Sequence, residues 1–179
     1  MGIFMKKLVL VLALSVILAV GAFAEHPGGW GIGIMGQRHF KWAGFAGNWG
    51  GSLSLKVPQK PVFWGLSLHT EPETNYFGLS ATGDYYLIDK KLKPDINFGY
   101  YFGIGSYAGF YHFGGDKNLY GIGAGARVPI GIYFFPVSFF EVFVDVAPSL
   151  GLEINIGNGS GPNFPAGGLG ADLGVRFWF

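Results

Sequence analysis

The sequence predicts an all-β protein, an eight-stranded antiparallel up-and-down transmembrane β-barrel. Three observations carry that expectation. Apolar residues alternate with small or polar ones at a period of two over segment after segment, which is the pattern of strands with one greasy face. Charge is sparse at 13% while glycine supplies 32 of the 179 residues. A soluble domain carries about 25% charge, and glycine suits tightly curved sheets and crowded interiors. Finally, the chain ends on an alternating apolar strand whose last residue is Phe179.

The length sets a prior of one domain. A net charge of +1 with no clustered basic stripe argues against nucleic acid as a partner. The absence of cysteine rules out disulfides and thiolate metal sites. At the N-terminus, Lys6 and Lys7 precede an apolar run from Leu8 to Val20, broken only by Ser15, and Ala22-Phe23-Ala24 follows. That is the form of a cleavable signal peptide, with Glu25 as the first mature residue. The run is short for the ~20 residues of a membrane-spanning helix. The expected organisation is therefore a signal peptide over 1–24 and a barrel over 25–179.

The strands follow in order. Residues 30–37 offer Trp30, Ile32 and Ile34 outward; 50–57 offer Leu53, Leu55 and Val57 against Ser52, Ser54 and Lys56. Residues 62–70 present Val62, Trp64, Leu66 and Leu68. In 76–88, Phe77, Leu79, Ala81, Tyr85 and Leu87 oppose Ser80, Thr82 and Asp84. In 96–111, Ile96, Phe98, Tyr100, Phe102 and Ile104 oppose Asn97, Gly99, Tyr101, Gly103 and Gly105. Residues 119–128 set Tyr120, Ile122 and Val128 against Gly121, Gly123, Gly125 and Arg127. Residues 139–154 set Val142, Val144, Val146 and Leu150 against Glu141, Asp145, Ser149 and Glu153. Residues 166–179 close the series with Leu173, Val175, Phe177 and Phe179 against Asp172, Gly174, Arg176 and Trp178.

Turn residues separate these segments at 58–61, 71–73, 93–95, 114–116, 129–136 and 158–165. An even strand count returns both termini to one side. Closure is required because an open sheet edge in hydrocarbon leaves backbone groups unpaired. A soluble calycin-like barrel also closes eight strands but buries its apolar face inside. Glycine and charge on the opposite face favour the membrane form.

The terminal pattern of Leu173, Val175, Phe177 and Phe179 resembles the C-terminal assembly signal of bacterial outer-membrane proteins. With the export signal, the chain resembles the small barrels of the OmpA-membrane-domain, OmpX and OmpW kind. Gly125-Ala-Arg127-Val-Pro129-Ile-Gly131, followed by Phe140 to Pro148, is similar to a turn and penultimate strand recurring in such barrels. The resemblance implies a bacterial outer-membrane protein with periplasmic termini, in contact with outer-membrane lipid and with the export and barrel-assembly machinery, and monomeric. It implies no cofactor. The short segments 71–75 and 114–118 depart from the long outer loops of the OmpX and OmpW kind and weaken an adhesin role.

Candidate chemistry is confined to a few residues. Gly31-Ile-Gly33-Ile-Met-Gly36 matches a dinucleotide fingerprint, but no helix pattern follows it. Ser67 and His69 share one strand face, yet no third group or oxyanion donor accompanies them, so no catalytic residue is assigned. No histidine pair has metal-ligand spacing on one strand. Arg127, Glu141, Asp145, Asp172 and Arg176 fall on the inward face of the last three strands. An eight-stranded barrel is just wide enough for side chains to fill, so these charges are expected to pair as a polar plug. The alternatives are a narrow path for ions or small solutes, and a surface ligand site. For the latter, Arg38, His39, Phe40, Lys41 and Trp42 mix charge with aromatic rings in an expected surface loop over 38–48. An interfacial anchor at the lipid headgroups is the simpler role for that loop.

Overall fold

The structure is a computed structural model that describes residues 26–43, 49–58, 60–71, 75–92, 97–114, 118–157 and 161–179. The expected signal peptide, with Ala22, Ala24 and Glu25, lies outside the described residues. The strands are β1 Gly31–Ala43, β2 Trp49–Lys56, β3 Val62–Glu71, β4 Tyr76–Lys91, β5 Phe98–Phe113, β6 Leu119–Arg127, β7 Ile130–Val137, β8 Phe140–Ile156 and β9 Gly161–Trp178. Every pairing is antiparallel: β1 to β5 pair in succession, β8 pairs with β9, and β9 closes on β1. β6 and β7 both pair with β5 on one side and β8 on the other. They are two halves of one stave, so nine segments make an eight-stave barrel with no free edge.

The break between β6 and β7 corrects the turn expected over 129–136. The chain runs straight through Val128 and Pro129. Pro129 has no N–H to give, but its carbonyl accepts from the Gly103 N–H at 2.9 Å. The Val128 N–H donates to the Pro148 carbonyl at 2.9 Å, so the ladder is kept on both flanks. The reversal comes later, at Ser138 and Phe139.

Two other expectations shift. Residues 161–165 belong to β9, with Gly161, Pro162 and Asn163 opposite Asn155, Ile154 and Glu153, so the last loop is shorter than the turn expected over 158–165. Residues 38–43 belong to β1, where Arg38 lies opposite both Trp49 and Ala171, so they are strand and not loop.

The faces are sorted as the alternation requires. Ile34, Leu66 and Leu173 are 62%, 61% and 63% exposed on the outer wall, whereas Tyr101 and Tyr133 are each 1% exposed in the lumen. This orientation overturns the calycin alternative, which would reverse the faces. One register slip matters. Between Tyr86 and Ile88 the β4–β5 ladder shifts by a residue. Leu87 is the inserted residue of a bulge, and beyond it Ile88 is exposed while Asp89 is buried.

Inward glycines leave room for large rings across the ladder. A Cβ on Gly131 would collide with the Tyr101 ring and approach the Asp145 Cβ at 2.7 Å, whereas a Cβ on outward Gly51 meets nothing within 4 Å. Overpacking typically costs about 1–3 kcal/mol. Gly131→Ala is therefore expected to lower the unfolding free energy from urea titration by that amount, and Gly51→Ala to leave it unmoved.

Candidate functional site

The site is the lumen, built in layers by inward side chains of all eight staves. At the end that holds His26 and Phe179, Phe63, Tyr86, Tyr101, Tyr133, Phe135, Phe143 and Trp178 form one buried aromatic cluster. Phe63 stacks on Tyr86 at 4.1 Å between centroids, and Tyr86 on Tyr101 at 4.2 Å. Arg176 lies among these rings, with its guanidinium carbon 4.3 Å from the Phe143 ring centre and 4.8 Å from that of Phe63. Cations favour aromatic faces, most strongly where water is excluded.

All five charged residues expected in the lumen are there and buried: Arg127, Glu141, Asp145, Asp172 and Arg176. They form two groups. In the first, Arg176 Nη1 donates to both Glu141 oxygens at 2.8 Å, and Arg176 Nε donates to Ser54 Oγ at 3.1 Å. Trp178 Nε1 donates to Glu141 Oε2 at 2.7 Å. In the second, Arg127 faces three carboxylates: Asp84 at 3.3 Å, Asp172 at 3.4 Å and Asp145 at 3.9 Å. The Tyr101 hydroxyl donates to Asp145 Oδ2 at 2.7 Å, tying the aromatic layer to the second group. Asp145 and Asp172 stand directly opposite on β8 and β9. Facing like charges repel, and Arg127 beside both offsets that repulsion.

Sequence reasoning missed two members. His26, ahead of β1, turns into the lumen and is 5% exposed. Its ring sits 2.7 Å from Asp89 Oδ2 through Nδ1 and 3.2 Å from Glu141 Oε1 through Nε2. Its backbone N–H also donates to Asp89 Oδ2 at 3.1 Å. Asp89 was hidden by the bulge at Leu87. Burial pushes the His26 pKa down, but the Glu141 charge and the hydrogen bonds to Asp89 and Glu141 outweigh it and hold the ring above 6.5.

Toward the other end the lumen widens into a cavity of about 70 Å³, lined in part by His39, His69, Tyr76, Tyr107, Arg127 and Ser149. His39, expected at the surface, faces this cavity with its ring 4.9 Å from that of His69. The expected neighbours Ser67 and His69 do not pair. Ser67 Oγ donates to Ser52 Oγ at 3.0 Å, and His69 Nε2 bonds Ser80 Oγ at 2.9 Å. His69 Nδ1 is buried without a hydrogen-bond partner, so no carboxylate orients that ring for acid–base work. Tyr111 hydrogen-bonds Glu153 and Asn155 nearby. Outside, the Arg38 guanidinium stacks over Trp49 at 4.9 Å and lies 5.7 Å from Phe40. The side chains of Lys41 and Trp42 lie outside the described residues. Among the described residues no group of three or more His, Cys, Asp or Glu is placed to hold a metal ion.

A closed eight-stave antiparallel barrel with an aliphatic outer wall and a charged, ring-packed lumen has the fold of the small eight-stranded barrels found among outer-membrane proteins. Several solved structures share this fold. The N-terminal β-barrel domain of Pseudomonas aeruginosa OprF superimposes with a TM-score of 0.56 at 18% identity, covering 85% of this chain and 98% of that one. Neisserial surface protein A (NspA) gives a TM-score of 0.55 at 12% identity, covering 86% of this chain and 98% of that one. No known protein family and no curated protein matches the sequence.

Two outcomes are expected. Removing one partner of a buried ion pair costs about 3–5 kcal/mol because the other charge is stranded. Arg176→Met should lose that much in urea refolding, and adding Glu141→Leu should recover part of it. Because the folded His26 pKa lies above 6.5, its contribution is complete below that value and fades as pH rises through the folded one. The stability gap between the wild type and His26→Gln, measured by urea titration, should therefore be widest near pH 6 and narrow as the pH is raised through the folded pKa.

Proposed function

We propose that the protein is an integral outer-membrane barrel whose lumen is sealed by its own side chains, with a structural or surface-interaction role and no catalysis. The observation that carries this reading is the layer at the terminal end. There Arg176, Glu141, Tyr101 and Tyr133 are each 2% exposed or less. Rings and paired charges pack across the full width of an eight-stave bore, which offers little more room than its side chains need.

The membrane location is supported by the outer wall, where exposed aliphatic residues recur on every stave. Strands of 16 to 18 residues in β4, β5, β8 and β9 exceed the ~9–11 needed to cross a bilayer. Periplasmic termini, export by a cleaved leader and delivery through the barrel-assembly machinery belong to the same proposal. Leu173, Phe177 and Phe179 support it, being open on the outer face of the last stave at 63%, 44% and 78% exposure. Val175 lies between them on that face. A monomer belongs to the same proposal, supported by closure, which leaves no strand edge to pair with a second copy. Surface contact is proposed for the β1 end of the barrel, where Arg38 and Phe40 present a guanidinium and a ring beside Trp49.

The test is conductance in planar bilayers, with heat-modifiable gel migration to certify folding. A folded barrel is expected to give no unitary steps. Reproducible steps that change when Glu141 or Arg176 is neutralised would replace this reading with a narrow ion channel.

A further inference from the structure

The pocket that receives His26 is built entirely by the barrel wall. Phe63 comes from β3, Tyr86 and Asp89 from β4, Tyr101 from β5, Tyr133 and Phe135 from β7, Glu141 from β8 and Trp178 from β9. Six rings surround the imidazole, at centroid distances of 4.1 Å for Tyr133, 5.2 Å for Phe63, 5.6 Å for Trp178, 5.9 Å for Tyr86, and 6.1 Å for both Tyr101 and Phe135. A carboxylate lies at each ring nitrogen. An ionised carboxylate only accepts, and a neutral imidazole has a single N–H. Both contacts are satisfied together only when the ring carries two protons and a positive charge.

The surroundings favour a cation for two further reasons. Aromatic cages bind cations through their ring faces. The buried acids among the described residues (Asp84, Asp89, Glu141, Asp145, Glu153 and Asp172) outnumber the buried Lys56, Arg127 and Arg176. Two of those bases border the pocket. Arg176 pairs with Glu141 and shares its Oε1 with the His26 ring. Lys56 Nζ donates to the Pro27 carbonyl at 3.3 Å and lies 5.9 Å from the Trp178 ring centre. The phenols of Tyr86, Tyr101 and Tyr133 are the remaining titratable groups around the ring.

We propose that this end of the lumen is a binding site for a small organic cation of imidazolium size, filled in the resting barrel by the chain's own His26. The segment from His26 to Trp30 is then a tethered self-ligand, and its withdrawal leaves a cage that a free cation can enter. The site stands whether or not the lumen conducts.

The test is chemical rescue. The full chain carrying His26→Ala is folded in detergent, and its urea midpoint is read at pH 6. Imidazole is the probe, and pyrazole, of the same shape but neutral at that pH, is the control. The substitution is expected to lower the midpoint, imidazole to raise it saturably toward the wild-type value, and pyrazole to leave it where it was. Adding Asp89→Asn should abolish the imidazole effect, while the wild type, its site already filled, should not respond. No rescue by imidazole, or equal rescue by pyrazole, would overturn the proposal, the second because it would mean simple void filling. Should His26→Ala not fold, the ring nitrogens of wild-type His26 are read by NMR at pH 7. A doubly protonated ring supports the cage, and a neutral ring overturns it.

Discussion

The ladder that runs from β1 to β9 and back to β1 pairs every stave on both sides, and most of the molecule follows from that closure. Backbone groups cannot stay unpaired in hydrocarbon, so a stave must keep its hydrogen bonds even where the sequence resists. Pro129 is the clearest instance, kept in line by acceptance at its own carbonyl and by donation from Val128. Closure also fixes two surfaces of opposite character. The outer one can be uniformly aliphatic. The inner one must be filled by whatever occupies the alternate positions, in a bore with little more room than its side chains need.

That crowding explains why glycine and tyrosine are partners inside the barrel. Gly131 makes room for Tyr101, and Gly121 makes room for Tyr111. It also governs the charges. Each buried carboxylate needs a donor within reach, and the two arginines each serve more than one acceptor group, Arg176 reaching Glu141 and Ser54 and Arg127 drawing in three carboxylates. At the terminal end Asp89 and Glu141 are both met by His26, which the wall does not carry and the N-terminal segment must bring. The plug and the N-terminal segment are thus one electrostatic unit.

Much of this was legible in the sequence because a period of two survives without alignment. The inward placement of Arg127, Glu141, Asp145, Asp172 and Arg176 followed from counting alternate residues on the last three staves. Other features are hidden in the sequence, most of them for a local reason. Pro129 and Pro136 suggested a turn, although Ile130, Ile132 and Phe134 continue the outward phase of Ile122 and Val128 without a break. Pro162 and Pro165 likewise disguised the start of β9. The bulge at Leu87 reverses the phase of β4. Its signal was present, because unbroken alternation from Phe77 would have turned Asp89 toward lipid, where a charge is costly. His26 carried no signal at all. Nothing in a five-residue segment ahead of a strand states that it folds inward, and only the paired acids of distant staves explain it.

The central claim is the orientation of the two faces in a membrane. The chain has no cysteine, so single cysteines can be placed along β8 from 142 to 153 without background. Each is spin-labelled in reconstituted vesicles and its accessibility to oxygen dissolved in the bilayer is read by electron paramagnetic resonance. The account predicts a strict alternation, with labels at Val144, Val146, Leu150 and Leu152 accessible and labels at Asp145, Ala147 and Gly151 protected. Accessibility with the opposite phase, or equal at all positions, would contradict it.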